Sequence, residues 1–329
     1  MNYKEIAIGV LKREGQVCLT LRQSHQSFAG AWEFPGGKIE ASETTEQALK
    51  REFKEELGVD TFDWQPLITI PWQYDGFAVR LNVFCTETFQ GEPKGCEGQT
   101  VRWISIQDLK TIAFPAANQG IVTALQLSDR YLITGDFKNN NEALVRLKRA
   151  FSDGISFAQL RAKKMDQARF LSLADQSISL AHQFGAKLLL NGSPDLLKKL
   201  PQADGIQLAS NKIFDYQTRP IAKNKWLGVS THTPEEIQQA LKIDADFILL
   251  SPVKKTNSHP DLQGIGWQTF AEMTENIPIP VFALGGMTLK DIGTAKQYGG
   301  QGIAAISEFW FSDKLAGACP RTKNRLQIP

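Results

Sequence analysis

At 329 residues the chain is too long for one ordinary compact domain, so two domains are the first expectation. Hydrophobic residues at 42% and charged residues at 22% describe a soluble globular protein able to bury a sizeable core. A net charge of +2 gives no ground for a direct nucleic-acid partner or a membrane-surface role.

That charge is unevenly spread. Residues 1–128 carry 12 Lys+Arg against 16 Asp+Glu, and residues 129–329 carry 25 against 19. A mildly basic second half suits a phosphate ligand, although solvated lysines account for it equally well. The four cysteines (Cys18, Cys85, Cys96, Cys319) have no paired spacing and read as reduced thiols. The chain starts on strand-like sequence without a leader, and no apolar run approaches the ~20 residues of a membrane span. A cytoplasmic location is therefore expected.

Taken in order, Glu5–Lys12 and Val17–Arg22 read as two strands joined by a turn at Arg13-Glu14-Gly15. Pro35-Gly36-Gly37 breaks the chain, and a helix follows. Thr44 and Gln47 have capping-box spacing at its start, and Gly58 ends it. Leu49, Phe53 and Leu57 recur every fourth residue and give one apolar stripe. Glu52, Glu55 and Glu56, at i, i+3 and i+4, crowd their carboxylates on another face. Carboxylates packed this closely repel one another unless a cation sits among them, and hard oxygen ligands suit Mg²⁺ or Mn²⁺. Strand-like runs follow at Leu67–Pro71, Arg80–Glu87 and Thr100–Ile104, then a helix around Asn118–Leu127.

Gly37, five residues, Glu43, seven residues, then Arg51-Glu52-Phe53-Lys54-Glu55-Glu56-Leu57-Gly58-Val59 matches the whole Nudix box. Residues 3–127 resemble the MutT-type 8-oxo-dGTP diphosphatases of that superfamily. The resemblance also rests on Glu33-Phe34-Pro35-Gly36-Gly37-Lys38, on Gly91-Glu92-Pro93-x-Gly95-x-Glu97-Gly98-Gln99, and on Phe114-Pro115-x-Ala117-Asn118. It implies an α/β/α sandwich and metal held at Gly37, Glu52, Glu55, Glu56 and Glu97. Glu97 would serve as a further ligand or as a base. Asn118 would hydrogen-bond the purine edge, Phe34 would pack against the base, and Arg22 would contact the nucleotide. Each has a plainer reading too: Asn118 can cap the last helix, Glu97 can be a turn residue, and Arg22 can be a surface charge. Lys38 and Arg51 either bind phosphate or brace the loop and helix, and Arg51 is expected to pair with Glu43. The implied reaction is Mg²⁺-dependent hydrolysis of a small-molecule nucleoside triphosphate to the monophosphate and pyrophosphate.

After Ser128-Asp129 the pattern changes. Short apolar runs, each followed by a helix-like stretch, occur at Tyr131–Thr134, Phe157–Leu160, Leu188–Leu190, Gly205–Leu208, Trp226–Val229, Phe247–Leu250, Val281–Leu284 and Ile303–Ile306. Eight such units predict a (β/α)₈ TIM barrel over residues 129–329, with a loosely ordered tail from about 312. Phosphate often binds such barrels after strands 7 and 8, where Gly285-Gly286 and Ser307 fall.

Residues 131–310 resemble the thiamine phosphate synthase and TenI family. The matching runs are Gln159-Leu160-Arg161-x-Lys163, Gly228-Val229-Ser230-Thr231-His232-Thr233, Leu262-Gln263-Gly264-x-Gly266 and Ala283-Leu284-Gly285-Gly286-Met287-Thr288. The chain departs from the synthases in three places. Asn191-Gly192 stands where an Asn-Asp pair is expected after strand 3, and Ala209-Ser210 where a second Asp is expected after strand 4. The lysine of the strand 6 loop is replaced around Ser258-His259. The resemblance then implies a TenI-like site in which His232 transfers protons and Gln159, Arg161, Gly285, Gly286 and Ser307 contact a thiazole phosphate or phosphate ligand. Other roles stay open: a hydrolase acting on thiamine-related diphosphates, or a barrel that only binds a ligand or stabilises its neighbour. His25 and His182 are read as surface residues, and His259, in a loop before Pro260, has no assigned role.

Overall fold

The computed structural model describes residues 3–23, 29–256 and 263–311. The first part is built on β1 (Tyr3–Arg13), β2 (Gln16–Leu21), β3 (Trp32–Glu33), β4 (Gly36–Lys38), helix α1 (Thr45–Leu57), β5 (Asp60–Phe62), β6 (Gln65–Tyr74), β7 (Phe77–Thr86), β8 (Thr88–Gln90), β9 (Val101–Ser105) and helix α2 (Gln119–Gln126). One sheet runs β3-β2-β1-β7-β6, with β4 added to β1 and β9 to β2, and β5 pairs separately with β8. The long central pair β1 and β7 is parallel, from Tyr3 opposite Ala78 to Leu11 opposite Thr86.

Strand alternation assigns the two faces of β1. Ala7 and Leu11 join Leu49, Phe53 and Leu57 of α1 in one apolar cluster. Ile8 and Val10 join Ile121, Val122 and Ala124 of α2 in another. The sheet is thus covered on both sides, the expected α/β/α sandwich. One local expectation fails. Gly36–Lys38 is not merely a break in the chain but a strand, antiparallel to Ile6–Ile8. The glycines carry no side-chain signal for a strand, and pairing with β1 decides their conformation.

The second part is a closed barrel of eight parallel strands. They are β10 (Arg130–Ile133), β11 (Phe157–Leu160), β12 (Lys187–Asn191), β13 (Gly205–Leu208), β14 (Trp226–Thr231), β15 (Phe247–Leu250), β16 (Val281–Leu284) and β17 (Gly302–Ala305). Each coincides with an apolar run read from the sequence. Helices α3 (Asn140–Ser152), α4 (Gln167–Gln183), α5 (Leu196–Lys199), α6 (Pro234–Lys242), α7 (Gly266–Thr274), α8 (Asp291–Gln297) and α9 (Ser307–Trp310) complete the units. Inward-facing Tyr131, Phe157, Phe247 and Phe282 stack against one another and fill the interior. Such an interior is packed, so ligands meet the barrel at its rim.

The sandwich docks on the barrel's floor, the end where its strands begin. Leu127 packs into the interior cluster beside Tyr131 and Trp226. The Lys110 ammonium lies 3.8 Å from the centre of the Trp226 ring, and Lys187 lies 4.8 Å from it. Arg80 of the sandwich reaches Glu275 of the barrel at 3.5 Å, and Lys296 holds Asp129, where the barrel begins, at 2.8 Å. The rim with His232 and the glycine loop is at the other end. No described helix is long and apolar enough to cross a membrane. His25, His259 and the tail from 312 onward lie outside the described residues, as does Cys319, while Cys18, Cys85 and Cys96 are unbridged.

Candidate functional site

The acidic site is assembled on α1. Thr44 accepts from the Gln47 backbone N–H while the Gln47 side chain accepts from the Thr44 N–H, so the predicted capping box forms. At the other end Gly58 takes a left-handed φ of 69° and its N–H bonds the Lys54 carbonyl. Leu49, Phe53 and Leu57 are fully buried, and the Phe53 ring occupies the space a side chain would need at Gly9. That close approach fixes the helix against β1 and turns its carboxylate face towards β3 and β4.

Glu52 lies directly over Gly37, where an added Cβ would stand 2.0 Å from its Oε1. Arg51 organises the surroundings. Its Nε and Nη2 bond both oxygens of Glu43 at 2.7 and 2.9 Å, Nη1 bonds Glu52 at 2.8 Å, and Nη2 also bonds the Lys38 carbonyl at 3.2 Å. The expected Arg51–Glu43 pair is therefore present as a two-pronged contact. It holds the Glu43 carboxyl down at about 2. The Lys38 side chain is exposed.

Glu97 comes from the loop between β8 and β9, and that loop caps α1. Cys96 N–H and Gln99 Nε2 both bond the Glu56 carbonyl, at 2.8 and 2.9 Å, and Lys94 N–H bonds the Leu57 carbonyl at 3.1 Å. Orphan carbonyls at the helix end thereby hold the Glu97 loop beside Glu56. Glu33, which sequence reasoning passed over, comes in from β3 and pairs with Arg22. Burial raises the Glu33 carboxyl and Arg22 opposes the rise.

Glu56 registers the sum. Burial, then the charges of Glu52, Glu33 and Glu97, push its carboxyl up to about 8, against a lowering hydrogen bond from Gly36. Glu55 is more exposed and reaches Arg51 at 3.4 Å. Glu33, Glu52, Glu55, Glu56 and Glu97 thus lie near one another, with Arg22 and Arg51 paired among them, and a donor set of oxygens suits a hard divalent cation. Among the described residues no three acidic, histidine or cysteine side chains already converge as a finished metal cage. Chemistry and charge fit a cation; the closed coordination shell is not preformed.

The residues expected at the base divide. Asn118 is 8% exposed, just before α2, and its side chain makes no cap hydrogen bond. The plainer reading of it as a side-chain cap is not realised, and its amide has no hydrogen-bond partner among the described residues. Phe34 is 1% exposed and stacks on Phe114 with ring centres 5.4 Å apart. It packs here as a core ring against Phe114. Arg22 faces Glu33, and its reach towards a nucleotide would have to be shared with that pair.

At the barrel rim His232 follows β14. Its Nδ1 lies 2.7 Å from the Ser251 carbonyl oxygen and its backbone N–H bonds Glu236 at 2.6 Å. A carbonyl accepts only, so Nδ1 carries the proton and Nε2 of the neutral ring is left as a base. Gly285 and Gly286 have φ of 102° and 65°, and added side chains there would strike Pro252 and the Lys255 carbonyl. Lys254 crosses this loop to bond Asp291 at 2.6 Å. Ser307 is exposed at the start of α9, and Arg161 takes its backbone position from Thr134. Gln159 is 2% exposed with its Oε1 unpartnered among the described residues. Ser258-His259 lies outside the described residues, while Lys254, missed in the sequence, occupies the loop after β15.

The comparisons with known proteins divide the chain the same way. A family model described as "NUDIX domain" matches residues 7–124, and one described as "Thiamine monophosphate synthase" matches residues 130–309. An 8-oxo-dGTP diphosphatase of Escherichia coli is 34% identical over 127 residues, covering 38% of this chain and 98% of its own. The protein of that name from Haemophilus influenzae is 37% identical over 122 residues, covering 37% of this chain and 90% of its own. A putative thiamine-phosphate synthase 2 of Aquifex aeolicus is 35% identical over 185 residues, covering 56% of this chain and 99% of its own. Among solved structures, a MutT studied from Aliivibrio salmonicida and Vibrio cholerae is 33% identical with a TM-score of 0.34, covering 38% of this chain and 97% of that one.

Proposed function

Because the chain belongs to the Nudix hydrolases over its sandwich and to the thiamine monophosphate synthase family over its barrel, we propose that residues 1–128 hydrolyse 8-oxo-dGTP to 8-oxo-dGMP and pyrophosphate. The observation that carries this is the grouping of Glu52, Glu55 and Glu56 on α1, against Gly37, with the loop that bears Glu97 pinned to the end of the same helix, where burial and mutual charge raise the Glu56 carboxyl. A site that concentrates negative charge so strongly is built to receive positive charge.

Glu52, Glu55, Glu56 and Glu97, with the Gly37 backbone, would hold Mg²⁺, and Mn²⁺ suits the same oxygens. A bound divalent cation supplies neutralisation of the triphosphate oxygens and of the carboxylates facing them. Arg51 keeps Glu52 aimed by its contacts with Glu43 and the Lys38 carbonyl. One carboxylate would accept the proton of the attacking water, and Glu97, on a loop pinned to the helix end, and Glu56 are the candidates. Water oxygen bonds to phosphorus as the phosphoanhydride bond breaks, and the products are a monophosphate and pyrophosphate. Asn118, with an uncommitted amide, would read the oxidised purine edge. A site that hydrogen-bonds an altered edge rejects the base lacking it far better than an apolar pocket does. The reaction would clear oxidised guanine nucleotides before a polymerase uses them.

For the barrel, residues from 129 onward, the fixed Nδ1 proton of His232 favours a proton-transfer site for a thiazole phosphate over a coupling synthase. Gly192 after β12 and Ser210 after β13 lack the carboxylates a diphosphate with Mg²⁺ needs.

The test is product analysis with Mg²⁺ present. Stoichiometric 8-oxo-dGMP and pyrophosphate from 8-oxo-dGTP, abolished in Glu56→Gln, supports the hydrolase; orthophosphate as the product would refute it. For the barrel, titration of the full chain with thiazole phosphate should give saturable binding, and no binding would remove that reading.

A further inference from the structure

We infer that Gln301, a barrel residue, is a positioning residue for the nucleotide site, because it holds helix α2 and through it Asn118. The inference rests on the reading of Asn118 as the residue that meets the purine edge.

Helix α2 has eight residues, and a helix that short is marginal without outside support. Its last carbonyls have no partner within the helix. The usual remedy, a left-handed glycine, is absent: Leu127 follows with φ of −94° and ψ of 143°. Gln301, 177 residues away from Ala124 in the chain, supplies the missing cap. Its Nε2 donates to the Ala124 carbonyl at 3.0 Å and to the Leu127 carbonyl at 3.3 Å. The side chain is 7% exposed, and its own backbone N–H bonds Val281 O at 2.8 Å, so its base is fixed in the barrel. Facing carbonyls dictate which way the amide points; the reverse orientation would set oxygen against oxygen. The consequence is a buried Oε1 without a partner among the described residues, a cost that the two-carbonyl cap offsets.

The first turn of α2 is held as firmly. An added Cβ at Gly120 would stand 2.3 Å from the Pro278 carbonyl oxygen and 2.9 Å from Ile70 Cδ1. The helix therefore lies between its own sheet and the barrel floor at one end and is capped by the barrel at the other. Asn118 immediately precedes it, and its side chain is not anchored by a cap bond of its own. Where the Asn118 amide points is then set by where α2 lies. The carboxylate face of α1 packs on the opposite side of the sheet and takes no support from Gln301. Loosening α2 should change how tightly the base is held and leave the phosphorus chemistry alone.

Gln301→Met in the full chain keeps the side chain's length and removes both polar atoms. The expected result is a KM for 8-oxo-dGTP raised about three- to ten-fold with kcat within about two-fold, as for loss of one or two hydrogen bonds. Preference over dGTP should fall with it, and amides of residues 121–126 should exchange hydrogen faster. In an Asn118→Ala background the substitution should add nothing, since the two act in series. Gly120→Ala, at the other end of α2, should give the same pattern. Faster exchange with KM and preference unchanged would overturn the positioning role, as would unchanged exchange, or an equal KM loss in the Asn118→Ala background. A wild-type enzyme that does not prefer 8-oxo-dGTP would instead defeat the base-reading proposal itself, and the exchange measurement separates that failure from a failure of the anchor.

Discussion

Gly37 and Glu52 stand in direct contact: a methyl group at Gly37 would sit 2.0 Å from the Glu52 carboxylate oxygen. A side chain at Gly37 would take the space the Glu52 carboxylate now fills, so the carboxylate would have to swing away. Gly37→Ala should therefore displace Glu52 while the apolar seams of α1 keep the helix in place. A displacement near 1 Å at a reacting centre costs on the order of 100-fold. Steady-state kinetics should show a loss of about that size in kcat/KM, with circular dichroism unchanged.

Arg51 touches Glu43, Glu52 and the Lys38 carbonyl together. Lysine keeps the charge but not the planar fork. Arg51→Lys should weaken Mg²⁺ activation by about 10- to 100-fold, the usual penalty for loss of a residue that orients a ligand. A Mg²⁺ titration of activity reads this directly, and an unchanged half-saturation point would show that Glu52 needs no such guide.

The Glu56 carboxyl, raised to about 8, makes a signed prediction for the cation-free protein. Between the ordinary carboxyl value of about 4.5 and the folded value, the folded state binds more protons than the unfolded one. Stability in chelator should accordingly fall as pH rises from about 4.5 to 8. Glu56→Gln should flatten that dependence, and added Mg²⁺ should stabilise most at the alkaline end. Denaturation midpoints across this range check the sign.

His232 is presented to the rim with its Nδ1 proton committed to the Ser251 carbonyl. If Nε2 is the working base, a barrel-dependent proton exchange on thiazole phosphate should drop by about 100-fold or more in His232→Gln, within the range for general acid–base catalysis. Ligand binding and nucleotide hydrolysis should both persist in that variant. Deuterium uptake by the thiazole phosphate in heavy water follows the step.

Much of this was readable from residue order because it is local. The stripe Leu49-Phe53-Leu57, the Thr44–Gln47 box and Gly58 specify α1 without help from elsewhere. The barrel strands are short buried apolar runs, so composition marks them. Arg51 and Glu43 share one loop and helix, and their pair could be anticipated. What was missed depends on distant partners. β3, β4, β5 and β8 have two or three residues each and exist through their neighbours. Glu33 joins the carboxylates only because β3 pairs with β2. The stacking of Phe34 on Phe114, which gives it a place in the core, also joins distant segments. Gln301 resembles any polar loop residue until the sandwich is placed on the barrel floor.

On the proposed function, the α1 carboxylates and Asn118 act together, the first on the phosphates and the second on the base. The most direct measurement is kcat/KM with Mg²⁺ for 8-oxo-dGTP, dGTP and thiamine diphosphate, in wild type and Asn118→Ala. The wild type should strongly prefer 8-oxo-dGTP, and the variant should lose that preference while retaining turnover of dGTP. Equal turnover of 8-oxo-dGTP and dGTP by the wild type, or faster cleavage of thiamine diphosphate, would contradict the proposed function.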